Sequence, residues 1–98
     1  MTLSVVFRRA AIAEFEDAAD WYESERSGLG EEFSAELNTA IAKAVADPGL
    51  YQFQYGDVRG VAARRFPYVV YFRVRDDKLV VFAVFHSSRD PAIWQRRL

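Results

Sequence analysis

The stretch FAVFHSSRDPAIWQRR, residues 82–97, holds the chain's single histidine, two serines and three arginines. An imidazole flanked by guanidinium groups is a minimal apparatus for cutting RNA without a metal. The ring moves the proton while the arginines hold the phosphate. Arg65, His86 and Arg89 are the residues placed for that chemistry. His86 ends an apolar run, Arg89 follows it, and Arg65 precedes the Phe66-Pro67 break that hairpin pairing sets beside His86. The plainer account of His86 is a strand-end histidine bonded to backbone. A serine nucleophile from HSS would need a second histidine as base and a strained G-x-S-x-G turn, and the sequence has neither. One histidine and no cysteine argue against a metal site. GLGEEF lacks the lysine of a phosphate loop. No cofactor and no metal are expected.

The remainder of that stretch reads as a closing helix. Asp90 is a good N-cap and Pro91 suits the first helical position. Trp94 can pack back on the domain, and Arg96 and Arg97 suit the last turn.

The 98 residues predict a single domain over 1–98. A chain this short needs a dense core, and 51% hydrophobic with 15% aromatic residues can supply one. Without cysteine, nothing requires an oxidising compartment, and the cytoplasm is the expected location. No apolar run approaches a membrane span, and the N-terminus lacks the long apolar stretch of a secretion signal. The net charge is −1, yet residues 1–57 hold eleven acidic against four basic side chains, and residues 58–98 hold three against nine. Such a division predicts an acidic and a basic surface that meet different partners.

LSVVF, residues 3–7, reads as a strand. Ala11, Phe15, Ala18 and Tyr22 recur with helical spacing, and Phe33, Leu37, Ala40, Ile41 and Ala44 form a second stripe. RSGLG separates the two and DPG ends the second, so a helical hairpin follows the strand. Beyond it the period changes to that of strands. A two-residue loop at Asp76-Asp77 sets Arg75 against Lys78 and Val74 against Leu79. A regular ladder from there puts Tyr68, Val70, Phe72 and Val74 opposite Phe85, Ala83, Val81 and Leu79 on the face toward the helices. The other face then carries Val69, Tyr71, Arg73 and Arg75 opposite Val84, Phe82, Val80 and Lys78. It is apolar in the middle, cationic at the tip, and in need of a cover. That cover is a partner or, in the rival reading, Ile93 and Trp94 of the terminal helix.

Strand, helical hairpin, antiparallel meander and short terminal helix together resemble the RelE/ParE superfamily, the toxins of bacterial type II toxin–antitoxin modules, often labelled plasmid stabilization proteins. The resemblance rests on EFEDAADWYE, on DPGLY, and above all on RRFPYVVYF and VFHSSRDP..W..R. Arg8 departs from it, standing where a helix-capping Ser, Thr or Asp is expected. The resemblance implies an α+β fold with the helical hairpin packed on an antiparallel sheet. It also implies one of two activities. RelE-like members cut mRNA in the ribosome, and ParE-like members poison DNA gyrase by binding. A pI near 5.8 and two lysines favour the ParE-like activity, since ribosomal RNA binding rewards strong basicity. The ribonuclease built on Arg65, His86 and Arg89 is the alternative, and a copy that only binds its antitoxin is a third. The expected partners are DNA gyrase, or the ribosome and its mRNA, and a cognate antitoxin in a hetero-oligomer. The antitoxin would dock an acidic amphipathic C-terminal segment on Val69, Tyr71, Arg73, Arg75, Lys78, Val80, Phe82 and Val84.

Overall fold

The computed structural model describes residues 2–98. Strand β1 (Ser4–Phe7) leads through Arg8 into helix α1 (Arg9–Glu25), and helix α2 (Leu29–Ala46) returns antiparallel to it. A 3₁₀ turn (Pro48–Leu50) precedes strands β2 (Phe53–Tyr55), β3 (Val58–Ala62), β4 (Tyr68–Arg75) and β5 (Lys78–His86), and helix α3 (Ala92–Gln95) closes the chain. The sheet order is β1-β5-β4-β3-β2. The meander β3 to β5 is antiparallel, as expected; β2 extends it by a fourth antiparallel strand, and β1 lies parallel on β5, which makes the sheet mixed. Strand β2 has no counterpart in the sequence reading, because three residues are too few to show a period.

The helical hairpin is tied at its turn by one carboxylate. Glu23 accepts the N–H groups of Gly28 and Gly30, two of the donors that the start of α2 leaves free. Gly28 adopts φ +88°, a left-handed conformation that suits glycine. Gly30 is required for a different reason. A Cβ there would stand 2.7 Å from the Ala19 carbonyl oxygen, so the two helices approach too closely for any side chain. Arg8 supplies no side-chain cap to α1, in keeping with its type.

The main core lies between the hairpin and the sheet. Phe33, Leu37, Ala40 and Ala44 meet Val70, Phe72, Leu79 and Val81, all nearly or fully buried. Each large side chain here contributes about 1.5–3 kcal/mol through burial. Tyr22, Phe33, Phe66 and Tyr68 form an aromatic group with ring centroids 4.9–5.3 Å apart in four of its pairs.

The β4–β5 hairpin turns on Asp76 and Asp77, both at positive φ (50° and 62°), as a tight two-residue hairpin turn requires. Pairing from Arg75–Lys78 to Phe72–Val81 follows the expected ladder. A bulge then intervenes: Phe72 faces Val81 but Tyr71 faces Ala83, leaving Phe82 as an extra residue. The expected faces therefore exchange beyond it. Val84 turns to the helix core, not outward, while Ala83 and Phe85 turn outward, not inward. Tyr68 pairs with His86, not Phe85. The outer face is not bare either. Trp94 is fully buried against Val58, Phe82, Ala83 and Phe85, and stacks on Tyr71 with centroids 4.5 Å apart. The terminal helix covers this half of the face in cis. Its first turn is held by the Asp90 carboxylate, which accepts the Ala92 N–H at 3.0 Å.

Candidate functional site

Past the end of β1, side chains satisfy the backbone of β5 where a strand would otherwise pair. The Phe82 carbonyl accepts from Arg97 at 3.1 Å, and the Val84 N–H donates to Glu14 at 3.0 Å. This arrangement draws α1 across the end of the sheet and leaves a recess of about 240 Å³ lined by Glu14, Asp17, Ala18, Trp21, Tyr68, Val84, His86 and Arg89. A second hollow, between Trp21, Tyr22, Tyr68 and His86, adjoins it.

His86 is held in one tautomer. Its Nδ1 accepts the Ser88 backbone N–H at 3.1 Å and lies 2.8 Å from Ser88 Oγ, so the neutral ring carries its proton on Nε2. The Tyr68 ring stands edge-on, 5.3 Å away. Burial pushes the Tyr68 hydroxyl above the usual tyrosine range; Tyr22 adds to that and Arg89 partly offsets it. Burial raises Tyr22 as well. Both phenols are hydrogen-bond donors at neutral pH, not bases.

The structure brings together two of the three residues expected for RNA cleavage. His86 and Arg89 share the recess. Arg65 does not line it. It sits in the turn before β4 at φ +69°, with its guanidinium 2.7 Å from Glu32 and 3.9 Å from Glu36 of α2. Arg89 is itself engaged, 3.3 Å from Glu14, and stands over the Phe85 ring. The recess thus offers one imidazole and one phenol beside two carboxylates, with its only arginine already partnered. Carboxylates at that range repel a phosphodiester.

The residues expected to receive an antitoxin divide into groups. Tyr71 lies under Trp94, and Val84 faces the helices. Arg73 and Arg75 both reach Asp57 at 3.0 Å, and Arg73 stands over the Phe82 ring. Partial burial raises the Asp57 carboxyl, but the Arg75 hydrogen bond and the charges of Arg73 and Arg75 outweigh it and hold the group below the usual carboxylate range. Lys78 is exposed, and Val69 and Val80 are half-buried. Glu14 and Asp57, which organise both regions, were not singled out by the sequence reading, since a carboxylate with a role looks like any other on an acidic helix or turn. Trp21 did carry a signal: it is an aromatic outside the apolar stripe of α1, and it is 58% exposed. No helix among the described residues is long and apolar enough to cross a membrane.

Comparison with known proteins places this geometry. The family described as "ParE toxin of type II toxin-antitoxin system, parDE" matches residues 5–91. A solved chain of the chromosomal ParDE TA system from P. aeruginosa superposes with a TM-score of 0.69 at 15% identity, covering 87% of this chain and 96% of that one. No curated protein matches the sequence. At that identity the likeness speaks for the fold alone, but the family match spans nearly the whole sequence. The chain belongs to the ParE toxin family and is a toxin of the type II toxin–antitoxin class, whose systems pair a toxin with an antitoxin.

Proposed function

We propose that this toxin inhibits growth by binding DNA gyrase, without cutting nucleic acid, and that a cognate antitoxin neutralises it in the cytoplasm. The observation that carries the reading is the commitment of the two arginines that cleavage would need. Arg65 is bound by Glu32 and Glu36 on α2, and Arg89 by Glu14. His86 is left in a recess with Glu14 and Asp17 and without a phosphate clamp. Binding to gyrase requires no such clamp.

Supercoiling by gyrase in the presence of purified toxin tests this directly. Inhibition, or accumulation of cleaved gyrase–DNA complex, is the expected result. Unaltered supercoiling, together with new mRNA 5′ ends that vanish in His86→Ala, would replace the reading with a ribosome-dependent endoribonuclease built on His86 and Arg89.

For the antitoxin, the reading keeps the tip and free side of the outer face: Arg73, Arg75, Lys78, Val80 and the rim around Phe82. An acidic amphipathic segment, disordered alone, would fold as it covers that rim. Arg73→Glu is expected to weaken capture in a salt-dependent manner.

A further inference from the structure

Phe82, the extra residue of the bulge, is 4% exposed and lines a recess of about 210 Å³ together with Arg8, Ala10 and Arg97. The guanidinium carbons of Arg73 and Arg8 stand 4.6 and 5.2 Å from its ring centroid. Arg97 donates to its carbonyl. Three cationic side chains therefore converge on one aromatic residue.

Their counter-charges fall short. Arg97 shares Glu14 with Arg89, and Arg73 shares Asp57 with Arg75. Arg8 takes part in no ion pair among the described residues, and the first turn of α1 carries no acidic side chain to offset it. Five arginines thus meet two carboxylates around this site. An arginine resting against a ring keeps N–H donors free for a planar oxyanion, and the fork of donors matches a carboxylate. Phe82 and Ala10 offer an apolar wall for the methylene groups that carry it.

We propose that the Phe82 recess, lined by Arg8 and Arg97 with Arg73 against the same ring, is the seat of a glutamate or aspartate side chain from an acidic protein segment, held chiefly by Arg8, the one of the three without a carboxylate partner among the described residues. The identity of that segment as the antitoxin rests on the function proposed above; the seat itself does not. A nucleic acid is the less fitting occupant. Its successive phosphates need a continuous basic track, and here Glu14 and Asp57 stand within the same arginine cluster.

The test uses the full chain, ¹⁵N-labelled, titrated with the capped peptide Leu-Glu-Leu-Glu, its Leu-Gln-Leu-Gln counterpart, and a single-stranded DNA 12-mer. Saturable shifts of the Arg8 and Arg97 Nε–H signals and the Ala10 amide are expected with the glutamate peptide and not with the glutamine one. Arg8→Gln, an exposed change that leaves the fold intact, should weaken the peptide by about fivefold. Arg64→Gln, in the turn after β3, should leave it unchanged. Absent shifts, indifference to Arg8→Gln, or tighter binding of the DNA at these signals would overturn the seat. Rescue of toxin-expressing cells by the antitoxin is scored separately. If the peptide result holds but Arg8→Gln is neutralised as well as wild type, the seat stands and its assignment to the antitoxin falls.

Discussion

Glu14 and Arg97, 83 residues apart in the chain, meet as a two-point pair: Arg97 Nη2 lies 2.5 Å from Oε2 and Nη1 3.3 Å from Oε1. The same carboxylate accepts the Val84 N–H and reaches Arg89. One mostly buried side chain of α1 therefore fixes the segment after β5, the backbone of β5 and the chain's last turn.

Removing it should loosen all three. Glu14→Ala leaves two guanidiniums and a backbone donor without their acceptor, and should cost about 2–4 kcal/mol. Glu14→Gln keeps an acceptor for Val84 and should cost less. Urea unfolding gives the magnitudes, and loss of the near-ultraviolet dichroism of Trp94 would report release of α3.

Gly30→Ala tests the helix crossing. The added methyl would meet the Ala19 carbonyl at 2.7 Å, a backbone atom that cannot swing aside. A loss of about 1–3 kcal/mol is expected, against the gain of up to about 1 kcal/mol that alanine usually brings over glycine in a helix. The thermal midpoint measures it. Gly60→Ala meets only the side chains of Val69 and Tyr71, at 3.2 Å or more, and should cost less.

The hairpin tip stores a modest strain. Asp76 and Asp77 both hold positive φ, and their carboxylates lie side by side on the chain. Asp76→Asn with Asp77→Gly suits that turn better and removes both charges. The pair should raise stability by about 0.5–1 kcal/mol, seen as a higher urea midpoint with unchanged slope.

Much of this architecture was legible from residue types. The helical stripes, the glycine break between them and the turn at Asp76-Asp77 each rest on local chemistry, and the structure keeps them. The bulge was not legible. Every residue from Leu79 to Phe85 is apolar, so no polar side chain marks where the alternation slips. The site suffered from the same gap. Placing His86 at the strand end needed only the hairpin count, but seeing that α1 lies beside it, and that Glu14 claims Arg89, needed the tertiary crossing. Arg65 was expected nearby because it precedes the Phe66-Pro67 break that the hairpin count sets beside His86. The left-handed turn at Arg65 instead directs its side chain to the carboxylates of α2.

Acid should weaken the outer face. The Asp57 carboxyl titrates below the usual range when folded, so it contributes stability at pH values above about 4. That contribution fades as the pH falls through the depressed value. Being partly exposed, it should also fade with salt. Asp57→Asn should flatten the decline of the urea midpoint between pH 5 and 3; an unchanged decline would assign it to other carboxylates, Glu32 among them, which a hydrogen bond from Arg65 also holds low.

His86→Ala separates growth inhibition from chemistry. Under the gyrase reading, colony formation on toxin induction should be as poor as with wild type. Arg65→Gln should behave alike. Restored growth with either, at equal toxin level, would count for a nuclease.

The bulge at Phe82 bears on inheritance. Because Tyr71 already faces Ala83, a chain lacking Phe82 would zip the same ladder with no slip, and Val84, Phe85 and His86 would keep their faces. One in-frame deletion of Phe82 would erase the hollow and the carbonyl that Arg97 holds, and through the shared Glu14 it would reach the histidine recess as well, so the two surfaces are tied to one codon.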